Sequence, residues 1–136
     1  MEYKVQRQLT AAIENVPGRL ADISEIISRH HINIEGICVV DNVEQGVIRL
    51  ITTQPAEVKR LLKEQDIYIV EADVLTVELT DQLGALAKIT ASLATEKINI
   101  DYLYCTSQRE GIPTKIVFKV SDMVSAQRIL GALEVS

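Results

Sequence analysis

The chain has 136 residues, 47% of them hydrophobic and 24% charged, with a net charge of −5. That is the composition of an ordinary globular protein and excludes a disordered one, and the acidic balance gives no general attraction to nucleic acid or anionic lipid. No apolar run approaches the ~18 residues of a membrane-spanning helix, and MEYKVQRQLT has no apolar signal core, so a cytoplasmic protein with no membrane or nucleic-acid partner is expected.

Residues 3–13 alternate, with Val5, Leu9, Ala11 and Ile13 on one phase and Lys4, Gln6, Gln8 and Thr10 on the other, which predicts a half-buried strand. Asn15 and Pro17 then open a helix, the Asn as a cap acceptor and the Pro in the first turn. Leu20, Ile23, Ile26, Ile27 and His30 have helical spacing and carry it to about His31. A strand over 32–40, a hairpin turn over 41–46 and a strand over 47–53 follow. Pro55 starts a second helix with Val58, Leu61 and Leu62 inward, and 67–70 is a fourth strand. The order β-α-β-β-α-β fits the split-βαβ ferredoxin-like fold.

The second half repeats the first. Residues 14–40 align without a gap on 80–106, with Gly18 on Gly84, Leu20 on Leu86, Ala21 on Ala87, Ile23 on Ile89 and Ile32-Asn33-Ile34 on Ile98-Asn99-Ile100. Further on, Ile48 matches Ile116, Arg60 matches Arg128 and Leu62 matches Leu130. Each copy is long enough to be a small domain. Two α+β modules are therefore expected, over 1–72 and 73–136, joined rigidly by the short linker 71–73.

In the second copy the spacing predicts strands over 74–79, 98–106 and 115–120 and a turn over 108–113. Asp81 is expected to cap a helix through Leu86, Ile89, Leu93 and Ala94, and Ser121 or Asp122 a last helix carrying Val124, Ile129 and Leu130. Val135 falls where the fourth strand should open, so this copy lacks most of its last strand. In the usual 4-1-3-2 order, residues 74–79 become an open edge that a second chain, a swapped segment or further residues must cover.

The chain contains no HExxH, P-loop, GxSxG or GxGxxG pattern. Cys38 and Cys105 are not equivalent in the repeat and read as buried free thiols, so neither a metal site nor a cofactor is expected. His30 and His31 fall at a helix C-terminus, where positive charge is favoured. Tyr102 and Tyr104 share one strand face, which suits packing or a ligand, and Arg49 stands opposite Ile48 and Leu50.

The chemically suggestive feature is the strand-to-helix loop, present twice, as Glu14-Asn15-Val16-Pro17-Gly18-Arg19-Leu20 and Thr80-Asp81-Gln82-Leu83-Gly84-Ala85-Leu86. Glycine admits a close backbone or ligand approach. The helix start leaves N–H donors for a carboxylate, and Asn15 or Asp81 offers an acceptor for an amine. A capped helix with a packing glycine explains the same residues.

The (D/N)xxGxL loop after a strand, then a helix, then an Ile-Asn-Ile strand entry, found twice, resembles the ACT domain. The whole chain looks like a free-standing tandem ACT protein without a catalytic domain. The resemblance implies βαββαβ modules that bind amino acids or related effectors, pair side by side into an eight-stranded sheet, and regulate an enzyme or another regulator as homodimers or larger homo-oligomers. It places the effector between the loop of one module and the second strand of its neighbour. That assigns Asn15, Gly18, Arg19 and Leu20 with Asn33 and Ile34 to one site, and Asp81, Gly84, Ala85 and Leu86 with Asn99 and Ile100 to the other. Leu83 departs from the proline usual before the glycine, and Asp81 makes the second loop differ in charge from the first. The alternatives are a ligand-free interaction module and a small acylphosphatase-like hydrolase, which would need an arginine cradle that only Arg19 approaches. A non-catalytic allosteric regulator is the expected function.

Overall fold

The computed structural model describes residues 2–14, 16–41, 45–79, 84–105 and 113–133. Its elements in order are β1 (Glu2–Glu14), α1 (Arg19–Arg29), β2 (Ile34–Asp41), β3 (Gln45–Thr52), α2 (Pro55–Lys63), β4 (Ile69–Leu79), α3 (Ala85–Thr95), β5 (Ile100–Cys105), β6 (Thr114–Val120) and α4 (Met123–Ala132). They form two units: residues 7–72, the first-repeat unit, and residues 1–6 with 73–136, the second-repeat unit. The turn residues expected at 42–44 and at 108–112 lie outside the described residues.

In the first-repeat unit the strand order is β2-β3-β1-β4, the expected 4-1-3-2. β1 and β3 are antiparallel with Leu9 opposite Leu50 and Ile13 opposite Gly46; β2 runs antiparallel to β3 from Ile34 opposite Thr52 to Asp41 opposite Gly46. Leu9, Ala11, Ile13, Ile48 and Leu50 carry the sheet's share of the core, against Ile23 and Ile27 of α1 and Val58, Leu61 and Leu62 of α2. Each of the Leu, Ile and Val side chains contributes about 1.5–3 kcal/mol by leaving water, and Ala11 less. The expected polar phase of β1 is only partly right. Gln8 is 0% exposed and donates from Nε2 to Thr10 Oγ1 at 3.3 Å.

In the second-repeat unit the order is β1-β4-β6-β5, with Leu75, Val77, Leu79, Ile116, Phe118 and Val120 packed against Ala85, Ile89, Leu93, Ala126, Ile129 and Leu130. Residues 2–6, which begin the first copy in sequence, stand here in the place of the fourth strand. β1 and β4 are hydrogen-bonded neighbours, Glu2, Tyr3 and Lys4 lie beside Thr76 and Glu78, and the Tyr3 hydroxyl approaches to 3.0 Å of where a Cβ on Gly131 would be. The edge at 74–79 is therefore covered by the chain's own first residues and does not demand a second molecule. β4 is also one uninterrupted strand, so residues 71–73 are not a linker. Nothing in Glu71-Ala72-Asp73 breaks an extended chain, and the fourth strand of one copy runs straight into the first strand of the next.

Three helix ends are built alike. His31, Asp66 and Lys97 hold φ of 57°, 59° and 59°. Around them Ile32 N–H donates to Ile27 O and His31 N–H to Ser28 O; Ile67 N–H to Leu62 O and Asp66 N–H to Lys63 O; Ile98 N–H to Leu93 O and Lys97 N–H to Ala94 O. These are Schellman closures, in which the residue after the left-handed one turns inward. Accordingly Ile32, Ile67 and Ile98 are all buried. His30 is the C-cap of α1, with Nδ1 2.9 Å from Ile26 O.

Several side-chain expectations change. Val124 is 79% exposed, because the inner face of α4 is set by Ala126, Ile129 and Leu130 and Val124 falls opposite. Leu20 is also exposed, leaving Ile23 and Ile27 as the buried face of α1. Cys38 is half-buried and Cys105 exposed, since β5 is the outer strand and Cys105 stands on the face opposite Ile100, Tyr102 and Tyr104, which are half-buried. Among the described residues no helix is long and apolar enough to cross a membrane.

Candidate functional site

Both strand-to-helix loops end in the same backbone event. Gly18 has φ 93° and Gly84 φ 83°, each the N-cap of its helix and each without a side-chain cap hydrogen bond. An L-residue is strained there, and a Cβ would meet nothing within 4 Å at either glycine. The glycines are thus required by the backbone and not by packing, and the space beside them is open. The helices start later than expected, at Arg19 and Ala85 rather than at Asn15, Pro17 or Asp81. The left-handed glycine is what redirects the chain, and the first intrahelical bonds run from Asp22 N–H to Gly18 O and from Lys88 N–H to Gly84 O. Asn15 and Asp81 lie outside the described residues.

The residues after the glycines divide by copy. Leu20 and Leu86 are each 40% exposed, apolar side chains left at the surface in both repeats. Arg19 is half-buried, with Nε closed off from solvent and without a hydrogen-bond partner among the described residues. Its counterpart Ala85 is buried in the core.

The second set of candidates sits elsewhere in each unit. Asn33 donates its N–H to Thr53 Oγ1 at 3.1 Å, and Thr53 N–H donates to Asn33 O. Asn99 makes the same exchange with Ser121, at 2.9 Å in both directions. The Ile-Asn-Ile entries therefore have a structural role: the first Ile closes the helix, the Asn backbone clips the strand to the end of its neighbour, and a register shift follows at Ile34/Gly36 and Ile100/Tyr102. Asn99 Nδ2 also donates to Asp101 Oδ1. Ile34 pairs at the Thr52 end of the sheet, whereas β1 delivers the Gly18 loop at the Gln45 end. The span of β2 separates these ends by about 23 Å at ~3.3 Å per residue. Within a unit, Gly18, Arg19 and Leu20 do not meet Asn33 and Ile34, nor do Gly84, Ala85 and Leu86 meet Asn99 and Ile100.

Resolved electrostatic shifts lie outside the loops. The Glu57 carboxyl is held below its ordinary value by hydrogen bonding from Arg60, whose own guanidinium is pushed up in return. Arg60 also pairs with Glu64 at 2.6 Å, and the repeat-matched Arg128 pairs with Glu96 at 3.7 Å. The shared arginine is a surface ion-pair residue, worth little at such exposure.

The architecture is that of two ferredoxin-like βαββαβ modules in tandem. The sequence matches the ACT domain pair family over residues 4–131, and the chain belongs to that family. Among solved structures it is similar to protein BT0572 from Bacteroides thetaiotaomicron, with 27% identity over 95% of this chain and 88% of that one and a TM-score of 0.87. The same fold is found in the ligand-free regulatory subunit of aspartate kinase from Thermus thermophilus, at 15% identity, 98% of both chains and a TM-score of 0.68. It recurs in a structure of aspartokinase alpha and beta subunits, at 18% identity, 96% of this chain and 95% of that one and a TM-score of 0.66. No curated protein matches the chain.

Proposed function

We propose that this ACT domain pair is a non-catalytic regulatory protein that binds a small effector, an amino acid, at the starts of α1 and α3. The observation that carries the reading is the pair of left-handed N-cap glycines, each in open space, without a side-chain cap and followed by an exposed leucine. A helix start of this kind offers backbone donors to a carboxylate, and Leu20 or Leu86 offers apolar contact. Asn33, Ile34, Asn99 and Ile100 contribute only from a neighbouring module, which is how the family resemblance uses them, and a homo-oligomer supplies such neighbours. The regulated protein is an enzyme or another regulator. Binding changes its state only to the extent that the effector prefers one arrangement of modules over another.

The test is a thermal-shift screen of the full chain against the twenty amino acids. A ligand present at ~100 times its Kd stabilises by about 2.7 kcal/mol. A shift that disappears in the Gly18→Val, Gly84→Val double variant supports the reading, and a screen with no shift refutes the amino-acid assignment.

A further inference from the structure

Along α1 of the first-repeat unit runs a groove whose walls include Arg19, Asp22, Glu25 and Arg29 on the helix and Gln65 and Ile67 at the turn into β4. On an isolated helix, Arg19 with Asp22 and Glu25 with Arg29 have the spacings that form ion pairs. Among the described residues none of the four does so: the surface pairs elsewhere in the protein involve other side chains. Two cationic and two anionic groups thus line one groove with their charges unmatched. One of them, Arg19, has its Nε shut off from water with no acceptor, an arrangement that costs free energy until an acceptor arrives.

The repeat supplies an internal control. At the equivalent positions of α3 stand Ala85, Lys88, Ala91 and Thr95, and that helix folds on its unit with the same buried spacing at Ile89 and Leu93. Folding therefore does not require the four charges of α1.

We propose that this groove, which begins at Arg19 next to Gly18, is an α-amino-acid site and makes the first repeat the tighter of the two binding places. The effector carboxylate binds the Arg19 guanidinium, its ammonium group lies between Asp22 and Glu25, and its side chain lies over Ile67 toward the Gln65 amide. The proposal rests on the amino-acid reading above and adds which repeat binds more tightly and through which groups.

The experiment is isothermal titration of the full chain with the amino acid that gives the largest thermal shift, and with the corresponding amine that lacks the carboxylate. The tighter binding event is expected to weaken by about tenfold or more in Arg19→Ala, the scale of one lost charge-assisted hydrogen-bonding group. The Asp22→Asn, Glu25→Gln variant, which leaves Arg19 in place, weakens it similarly. Lys88→Ala, at the matching place in the second repeat, leaves it unchanged. The amine binds the native chain no better than it binds Arg19→Ala. An amino acid that binds with unaltered affinity to both the Arg19 and the Asp22/Glu25 variants overturns this proposal and leaves the loop reading standing. A chain to which no amino acid binds overturns both.

Discussion

Replacing Lys97 by glycine is expected to stabilise the protein, although it removes a side chain. Lys97 closes α3 with φ 59°, a conformation that costs an L-residue about 1–2 kcal/mol. Glycine removes that strain but gives back about 0.5–1 kcal/mol through a freer unfolded chain, for a net gain of about 0.5–1 kcal/mol. The Lys97 side chain is exposed, so little packing is lost. At an unfolding entropy of ~2.1 cal/mol/K per residue, joint unfolding of the 136 residues converts this into a Tm rise of about 2–3.5 °C. His31→Gly should behave alike and Asp66→Gly less so, because aspartate tolerates the left-handed region better. Gly18→Ala is the converse case. Its φ is 93° and an added Cβ meets no atom within 4 Å, so only the backbone term acts and Tm should fall by a similar ~2–3.5 °C. Thermal unfolding followed by far-UV circular dichroism reads all four. A lower Tm for Lys97→Gly with native helix content would refute the reasoning.

Phe118→Ala empties the largest fully buried side chain of the second-repeat core and should cost about 3–5 kcal/mol by chemical denaturation. Asp122 caps α4 by accepting from Ser125 N–H, and hydrogen bonding from the Ser125 side chain first and its backbone N–H second holds the carboxyl below the ordinary 3.8. A depressed folded-state pKa gives stability that is present at neutral pH and lost as pH falls through it. Asp122→Ala should therefore lower Tm at pH 7, and its gap to the native protein should close as the pH falls below about 4. Deleting residues 2–6 should expose the β4 edge, seen as faster amide exchange at 74–79 with exchange at 45–52 little changed. Equal protection at 74–79 would remove these residues from the role of fourth strand.

The ferredoxin-like repeat was readable because buried positions recur with the right period in both copies: Leu9, Ala11 and Ile13 match Leu75, Val77 and Leu79, and all six are core. The strand exchange was not readable. Alternation shows that residues 3–6 are extended but not which sheet they join, and the repeat itself assigns them to the first copy. The helix starts were misplaced because Asn15, Pro17 and Asp81 are strong capping residues on composition, whereas the φ of Gly18 and Gly84 decides the boundary. The features that the two Ile-Asn-Ile entries share within a unit are a Schellman closure and a backbone clip, which short local patterns do not reveal. Of the candidate site, Gly18 and Gly84 each start a helix with open space beside them, and the Asn-Ile pairs lie at the other end of each unit. The unpaired charges of α1 carry no signal in the sequence, because exposed Arg, Asp and Glu at helical spacing are what any solvated helix presents.

The most direct test of the account is amide chemical-shift mapping of the full chain with the amino acid that gives the largest thermal shift. The account predicts perturbations concentrated at residues 16–29, with a weaker set at 84–88. Perturbations confined to β3 and β6, with Gly18 and Gly84 unmoved, would contradict it.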